Sequence, residues 1–126
     1  MKLHMSGEDY LETILILEQS RSEVRAVDIA ERMGVTKPSV SRALSILKNG
    51  GFLTIIDHSV RLTEVGREAA EEIYKRHSFF KKALVSVGIA PETAEKEACL
   101  IEHAVSADSF RKIEAAMEKK ASDENF

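Results

Sequence analysis

The sequence predicts a mainly α-helical fold: an N-terminal winged helix-turn-helix with a small β-hairpin wing, followed by a helical C-terminal domain. Three observations carry this. Two short amphipathic stretches are separated by the turn Gly34-Val35-Thr36, and the β-rich segment FLTIIDHSVRLT follows directly. From Thr63 onward, apolar residues recur at intervals of three or four almost to the end of the chain.

The first helix is expected from about Gly7 to Gln19. Leu11, Ile14, Leu15 and Glu18 keep helical spacing, and Tyr10 and Leu17 widen the apolar face. Ser6 reads as its N-cap, and Ser6-x-x-Asp9 matches a capping box. The polar run SRSE reads as a loop. Ile29, Ala30 and Met33 then mark the inner face of a short helix that stops at Gly34, a residue suited to the left-handed position after a helix.

Thr36 caps the second helix of the pair, and Pro38 stands in its first turn, where a missing N–H costs little. Val40, Leu44 and Leu47 form its inner row, and Asn49-Gly50-Gly51 ends it. The hairpin is read as Phe52–Ile56, a turn at Asp57–Ser59, and Val60–Leu62 returning. Thr63 caps the longest helix, whose row Val65, Ala69, Ile73, His77 and Phe80 continues to about Val87 before Gly88. Pro91 opens a helix with Ala94, Ala98, Ile101 and Val105 recurring. Ser106 and Asp108 begin the last one, with Phe110, Ile113 and Met117, and the polar tail EKKASDENF is expected to fray.

Composition narrows the function classes. The single cysteine, Cys99, excludes an internal disulfide framework and a four-cysteine zinc module. No apolar run approaches the roughly 20 residues of a membrane span. The N-terminus MKLHMSGEDY lacks the apolar stretch of a secretory signal, so a cytoplasmic protein is expected. The net charge of −3 hides a segregation. Between Thr36 and Arg61 stand Lys37, Arg42, Lys48 and Arg61 against the single acid Asp57, a local charge of +3. From Leu62 to Phe126, 10 basic residues face 13 acidic ones.

That basic segment coincides with the helix-turn-helix and points to DNA. Small hydroxyls at Ser39 and Ser41 allow close approach to a groove, and Arg42 can donate two hydrogen bonds to a guanine edge. Lys37, Arg61 and the helix start at Thr36 and Pro38 suit phosphates. A second constellation is Cys99, Glu102 and His103, whose spacing puts all three on one helical face. Thiol, carboxylate and imidazole are a transition-metal donor set, although a packed cysteine beside a solvated Glu-His pair has the same spacing. Asp9 and Glu12 form a similar pair on the first helix, where the capping box and a surface charge account for them equally. Nothing in their spacing assigns a role to His77, His4 or His58.

The order of these features resembles one family. Asp9-Tyr10-Leu11-Glu12 on helix 1, then DIAERMGVTKPSVSRALSILKNGGFL, then Arg76-His77 on a long helix and EACLIEHAVS are similar to the diphtheria-toxin-repressor family of iron- or manganese-dependent transcriptional repressors. The resemblance covers nearly the whole chain. It implies a DNA-binding domain over 1–76 and a helical metal-binding and dimerisation domain over 77–126, with helix 1 also contributing to the metal site. It implies a homodimer on double-stranded, palindromic operator DNA, with no membrane partner and no small-molecule substrate. It also implies a metal set of Asp9, Glu12, His77, Cys99, Glu102 and His103.

This sequence mixes the family's branches. Its carboxylates and histidines resemble the manganese branch, which has Glu where Cys99 stands. Cys99 resembles the iron branch, which has Met where Asp9 stands. Lys81 occupies the place of an acidic residue in the iron branch's ancillary site, and Glu95 that of a further histidine. The chain is similar to the short form without the SH3-like domain.

Thiolate favours Fe(II) over Mn(II), and Zn(II), Co(II) and Ni(II) also suit the set in vitro. A metallohydrolase would need a separate general base and a substrate cleft that the sequence does not offer, so no enzyme is expected. The alternative reading is a metal-independent winged-helix regulator that senses a small molecule or redox state through Cys99.

Overall fold

The computed structural model describes residues 5–124, with side chains placed from Ser6 to Lys120. The first residues of the N-terminal segment judged not to be a signal, with His4, and the last two of the tail lie outside them. The elements are α1 (Met5–Ser20), α2 (Ala26–Met33), α3 (Lys37–Asn49), β1 (Leu53–Ile56), β2 (Ser59–Leu62), α4 (Glu64–Ser86), α5 (Pro91–Ala104) and α6 (Ala107–Glu124). They fall into two compact units, Met1–Tyr74 and Lys75–Phe126, with α4 running through the boundary. No helix among the described residues is long and apolar enough to cross a membrane.

The first unit is built around α1. Tyr10, Leu11, Ile14, Leu15 and Leu17 pack with Ile29 and Ala30 of α2, Val40, Leu44 and Leu47 of α3, and Phe52, Leu53 and Val60 of the wing. Gly34 ends α2 in the left-handed conformation, its N–H bonded to the Ala30 carbonyl at 2.9 Å, and the chain turns directly into α3. Thr36 caps α3 by accepting from the Ser39 N–H at 3.3 Å. The wing is antiparallel with Ile56 opposite Ser59, so Asp57 and His58, both at positive φ, form a two-residue hairpin turn.

Several local expectations are corrected. Ser6 stands inside α1, which already includes Met5, rather than capping it. Ser59 belongs to β2, because the tight turn needs only two residues. Beside the expected loop SRSE, Val24 is buried and its carbonyl accepts from the Val60 N–H at 2.8 Å, an extra backbone tie to the wing. Glu18, half-buried, accepts from the Leu62 N–H and pairs with Arg67 of α4 at 2.6 Å.

At the start of α4 the inner position is Gly66, and Val65 is exposed. A Cβ on Gly66 would lie 1.8 Å from the Phe52 carbonyl oxygen, so the helix touches the chain there through hydrogen alone. Thr63 completes this joint. Its N–H donates to the Phe52 carbonyl at 3.0 Å, and its hydroxyl donates to the Gly51 carbonyl at 2.6 Å while accepting from the Gly66 N–H at 3.1 Å.

In the second unit Phe79 of α4 packs edge-on against both its neighbour Phe80 and Phe110 of α6, and Phe80 meets Phe110 at a tilt. Its inner row on α5 is Ala94, Ala98 and Glu102, with Ile101 only half-buried. Ser106 caps α6 by accepting from the Ser109 N–H. Ile113 and Met117, expected inside, are exposed. The tail is helical from Glu118 to Glu124, its last described residue.

Candidate metal centre and nucleic-acid interface

The centre of the second unit is a carboxylate with no solvent contact. Glu102 is 0% exposed and ends a buried row on α5 that is otherwise alanine, Ala94 and Ala98. Its Oε2 lies 2.9 Å from Nδ1 of His77 on α4, and its Oε1 lies 3.3 Å from Nε2 of the adjacent His103. Neither carboxylate oxygen has a hydrogen bond of good geometry. Burying a carboxylate without directed donors costs several kcal/mol, roughly, unless an opposite charge compensates it.

One donor atom from each of Cys99, Glu102 and His103 lies within 4.8 Å of the others, and the same holds for His77 and Glu102. Glu102 is thus common to two donor groups, one with Cys99 and His103, which their spacing put on one face, and one with His77; this donor chemistry fits a divalent transition metal. Asp9 and Glu12 both lie on α1, three residues apart, with Asp9 half-buried and Glu12 buried.

Two neighbours complete the setting. Nη1 of the buried Arg76 donates to the carbonyls of Glu102 and Val105, at 3.1 and 3.0 Å, and so ties the end of α5 to α4. Sequence reasoning gave Arg76 no task, because both acceptors are main-chain atoms far along the chain. Nε2 of His77 contacts Glu95 Oε1 at 2.9 Å, and Lys81 Nζ pairs with Glu95 Oε2 at 2.9 Å. The bonded Lys81 ammonium holds the Glu95 carboxyl below its ordinary range, with His77 acting in the same sense and burial opposing both.

On the first unit, Thr36, Lys37, Pro38, Ser41 and Arg42 are exposed along the start of α3, as a groove-reading helix requires. Ser39 is half-buried, and its hydroxyl accepts from that of Thr36 at 2.9 Å, so its first task is the cap. Arg61 is exposed on β2 and lines a cleft with Glu18, Arg21 and Arg67, away from the α3 residues. The side chains that share a cleft with Lys37 and Ser41 are instead Arg25, Lys48 and His58. The local charge of +3 signalled part of this cluster, but Arg25 lies outside the counted segment.

Family models match both parts of the chain. The N-terminal DNA binding domain of iron dependent repressors matches residues 2–57, and their metal binding and dimerisation domain matches residues 63–125. The transcriptional regulator MntR of Salmonella typhimurium is 37% identical over 82% of this chain and 66% of its own length. The iron-dependent repressor IdeR of Mycobacterium tuberculosis is 35% identical over 84% of this chain and 47% of its own length. A manganese-dependent transcriptional repressor solved with manganese superposes with a TM-score of 0.80 at 31% identity, over 89% of this chain and 52% of that one. The chain thus spans about half to two thirds of these relatives. It belongs to the iron-dependent repressor family, whose members are metal-dependent transcriptional regulators.

Proposed function

We propose that the chain is a repressor that binds palindromic operator DNA as a homodimer when loaded with Fe(II), or less effectively Mn(II), and so controls metal-ion homeostasis in the cytoplasm. The observation that carries this is Glu102: a fully buried carboxylate between two imidazoles, neither oxygen of which has a well-directed hydrogen bond. A metal ion held there would compensate the charge of the buried carboxylate.

His77, Cys99, Glu102 and His103 of the 77–126 domain hold the ion, and Asp9 and Glu12 of α1 complete the set. Because α1 is also the core of the DNA-binding domain over 1–76, ligands on α1 couple the wing to the dimer core. Such coupling is ordinarily worth about 1–3 kcal/mol, or roughly 5–150-fold in DNA affinity. Thr36, Lys37, Pro38 and Arg61 position the backbone, while Ser39, Ser41 and Arg42 face the groove. Exposed Val85, Val87, Leu100, Ile113 and Met117 give the second unit apolar surface for a partner copy. One thiolate among carboxylates and imidazoles favours Fe(II) over the harder Mn(II).

The test selects duplexes from a random pool and measures their binding against free Fe(II), Mn(II) and Zn(II) in anaerobic buffer. Metal should tighten binding at least fivefold and EDTA should reverse it. Affinity indifferent to EDTA overturns the proposal and leaves the metal-independent regulator. A stoichiometric metal titration on the same protein separates the two readings without DNA.

A further inference from the structure

The imidazole of His77 stands between two carboxylates of α5. Its Nδ1 lies 2.9 Å from Oε2 of Glu102, and its Nε2 lies 2.9 Å from Oε1 of Glu95. Glu95 and Glu102 are about two helical turns apart, so both project from one face of α5. Their settings differ: Glu102 has no solvent contact, whereas the Glu95 side chain is half exposed. Glu95 is also held from its other side. Its Oε2 pairs with Nζ of Lys81 at 2.9 Å, and Lys81 follows His77 by one turn on the same face of α4. One oxygen of Glu95 thus meets the ring and the other meets the ammonium.

We propose that Glu95 is a positioning residue of the metal centre: it accepts the Nε2–H of His77 and so leaves Nδ1, the nitrogen beside Glu102, as the lone pair that binds the ion. The inference rests on the metal-binding reading above and adds to it a residue outside its ligand set. A neutral imidazole has one N–H and one lone pair, and the hydrogen bond made by one nitrogen decides which atom can take a metal. An ionised carboxylate only accepts, so the nitrogen facing Glu95 is the one that carries the proton. Glu102 is common to both donor groups, which puts the ion on the Nδ1 side of the ring. A carboxylate behind a ligating histidine fixes the orientation of the ring and strengthens its donor nitrogen. Lys81 serves the same arrangement, because it holds the second oxygen of Glu95 and keeps the first on the ring. An exposed Lys–Glu pair by itself adds little to folding stability, so the consequence of losing Glu95 falls on the metal.

Zn(II), which is diamagnetic, is the probe, and the full chain is used throughout. Imidazole nitrogen NMR follows His77, whose signals are assigned by their loss in His77→Gln. In wild type, Zn(II) should move Nδ1 strongly while Nε2 keeps its proton. Glu95→Ala should lower Zn(II) affinity about 10–100-fold, read by competition with a chelator. In the same variant the Nε2 proton, no longer bonded, should exchange with water faster. The melting temperature of the metal-free variant should change little. Zn(II) affinity unchanged in Glu95→Ala overturns the proposal, whether or not the variant melts earlier. So does a wild-type Nε2 that loses its proton on loading, which would make Nε2 the ligand atom and Glu95 a ligand beside it. Wild-type protein that binds no Zn(II) overturns the metal-binding reading itself, a result distinct from either.

Discussion

Replacing Gly66 by alanine should unfasten the joint on which α4 begins. The added Cβ would lie 1.8 Å from the Phe52 oxygen and 2.8 Å from its carbonyl carbon, both main-chain atoms that cannot rotate away. Real contacts of this kind stay beyond 3.0 Å, so the helix start must retreat by about 1.2 Å. That retreat carries the Thr63 N–H from 3.0 Å to well outside hydrogen-bonding range of Phe52, and strains the 2.6 Å bond from the Thr63 hydroxyl to Gly51. Two lost hydrogen bonds cost about 2 kcal/mol together, and residual overpacking costs about 1–3 kcal/mol. The better helix propensity of alanine returns about 1 kcal/mol. The net destabilisation is about 2–4 kcal/mol, which lowers the Tm of a unit this size by at least about 8 °C. Thermal melts of the full chain followed by circular dichroism read it. Propensity alone would raise the Tm, so an unchanged or higher Tm refutes the close approach of α4 to Phe52.

Three substitutions test the sites directly. Arg42→Ala should cost about 1–3 kcal/mol on the best duplex and relax preference at one position of each half-site. An operator library would sink this if every sequence weakened alike. Glu102→Gln keeps the shape of the buried side chain and removes its charge, so it should abolish metal-induced stabilisation. In wild type that gain is about 2.7 kcal/mol at a hundredfold excess of free metal over Kd; an equal thermal shift in the variant refutes a ligand role. Cys99→Glu makes the donor set all-hard and should move the Fe(II)/Mn(II) activation ratio toward Mn(II). A ratio that does not move, with no Co(II)–thiolate band in wild type, makes Cys99 a packing residue.

The sequence by itself determined whatever a few neighbouring residues decide. Thr36 before Lys37-Pro38, the row Val40, Leu44 and Leu47, and the stop at Asn49-Gly50-Gly51 delimit α3, because capping and helical periodicity act within one or two turns. The i, i+3, i+4 spacing of Cys99, Glu102 and His103 likewise put three donors on one face before any fold was known. Tertiary structure decided which of two adjacent stripes turns inward. On α4 it is Gly66 rather than Val65, because the Phe52 carbonyl leaves room only for hydrogen. On α5 it is Glu102 ahead of the more hydrophobic Ile101. Periodicity measures angles around one helix and carries no term for the partner's shape or charge. For the same reason, the tie from Val24 to the wing, Arg76 on the end of α5, and the convergence of Arg25, Lys48 and His58 came only with the fold. Each joins residues distant in the chain, and contacts of that kind leave no spacing to read.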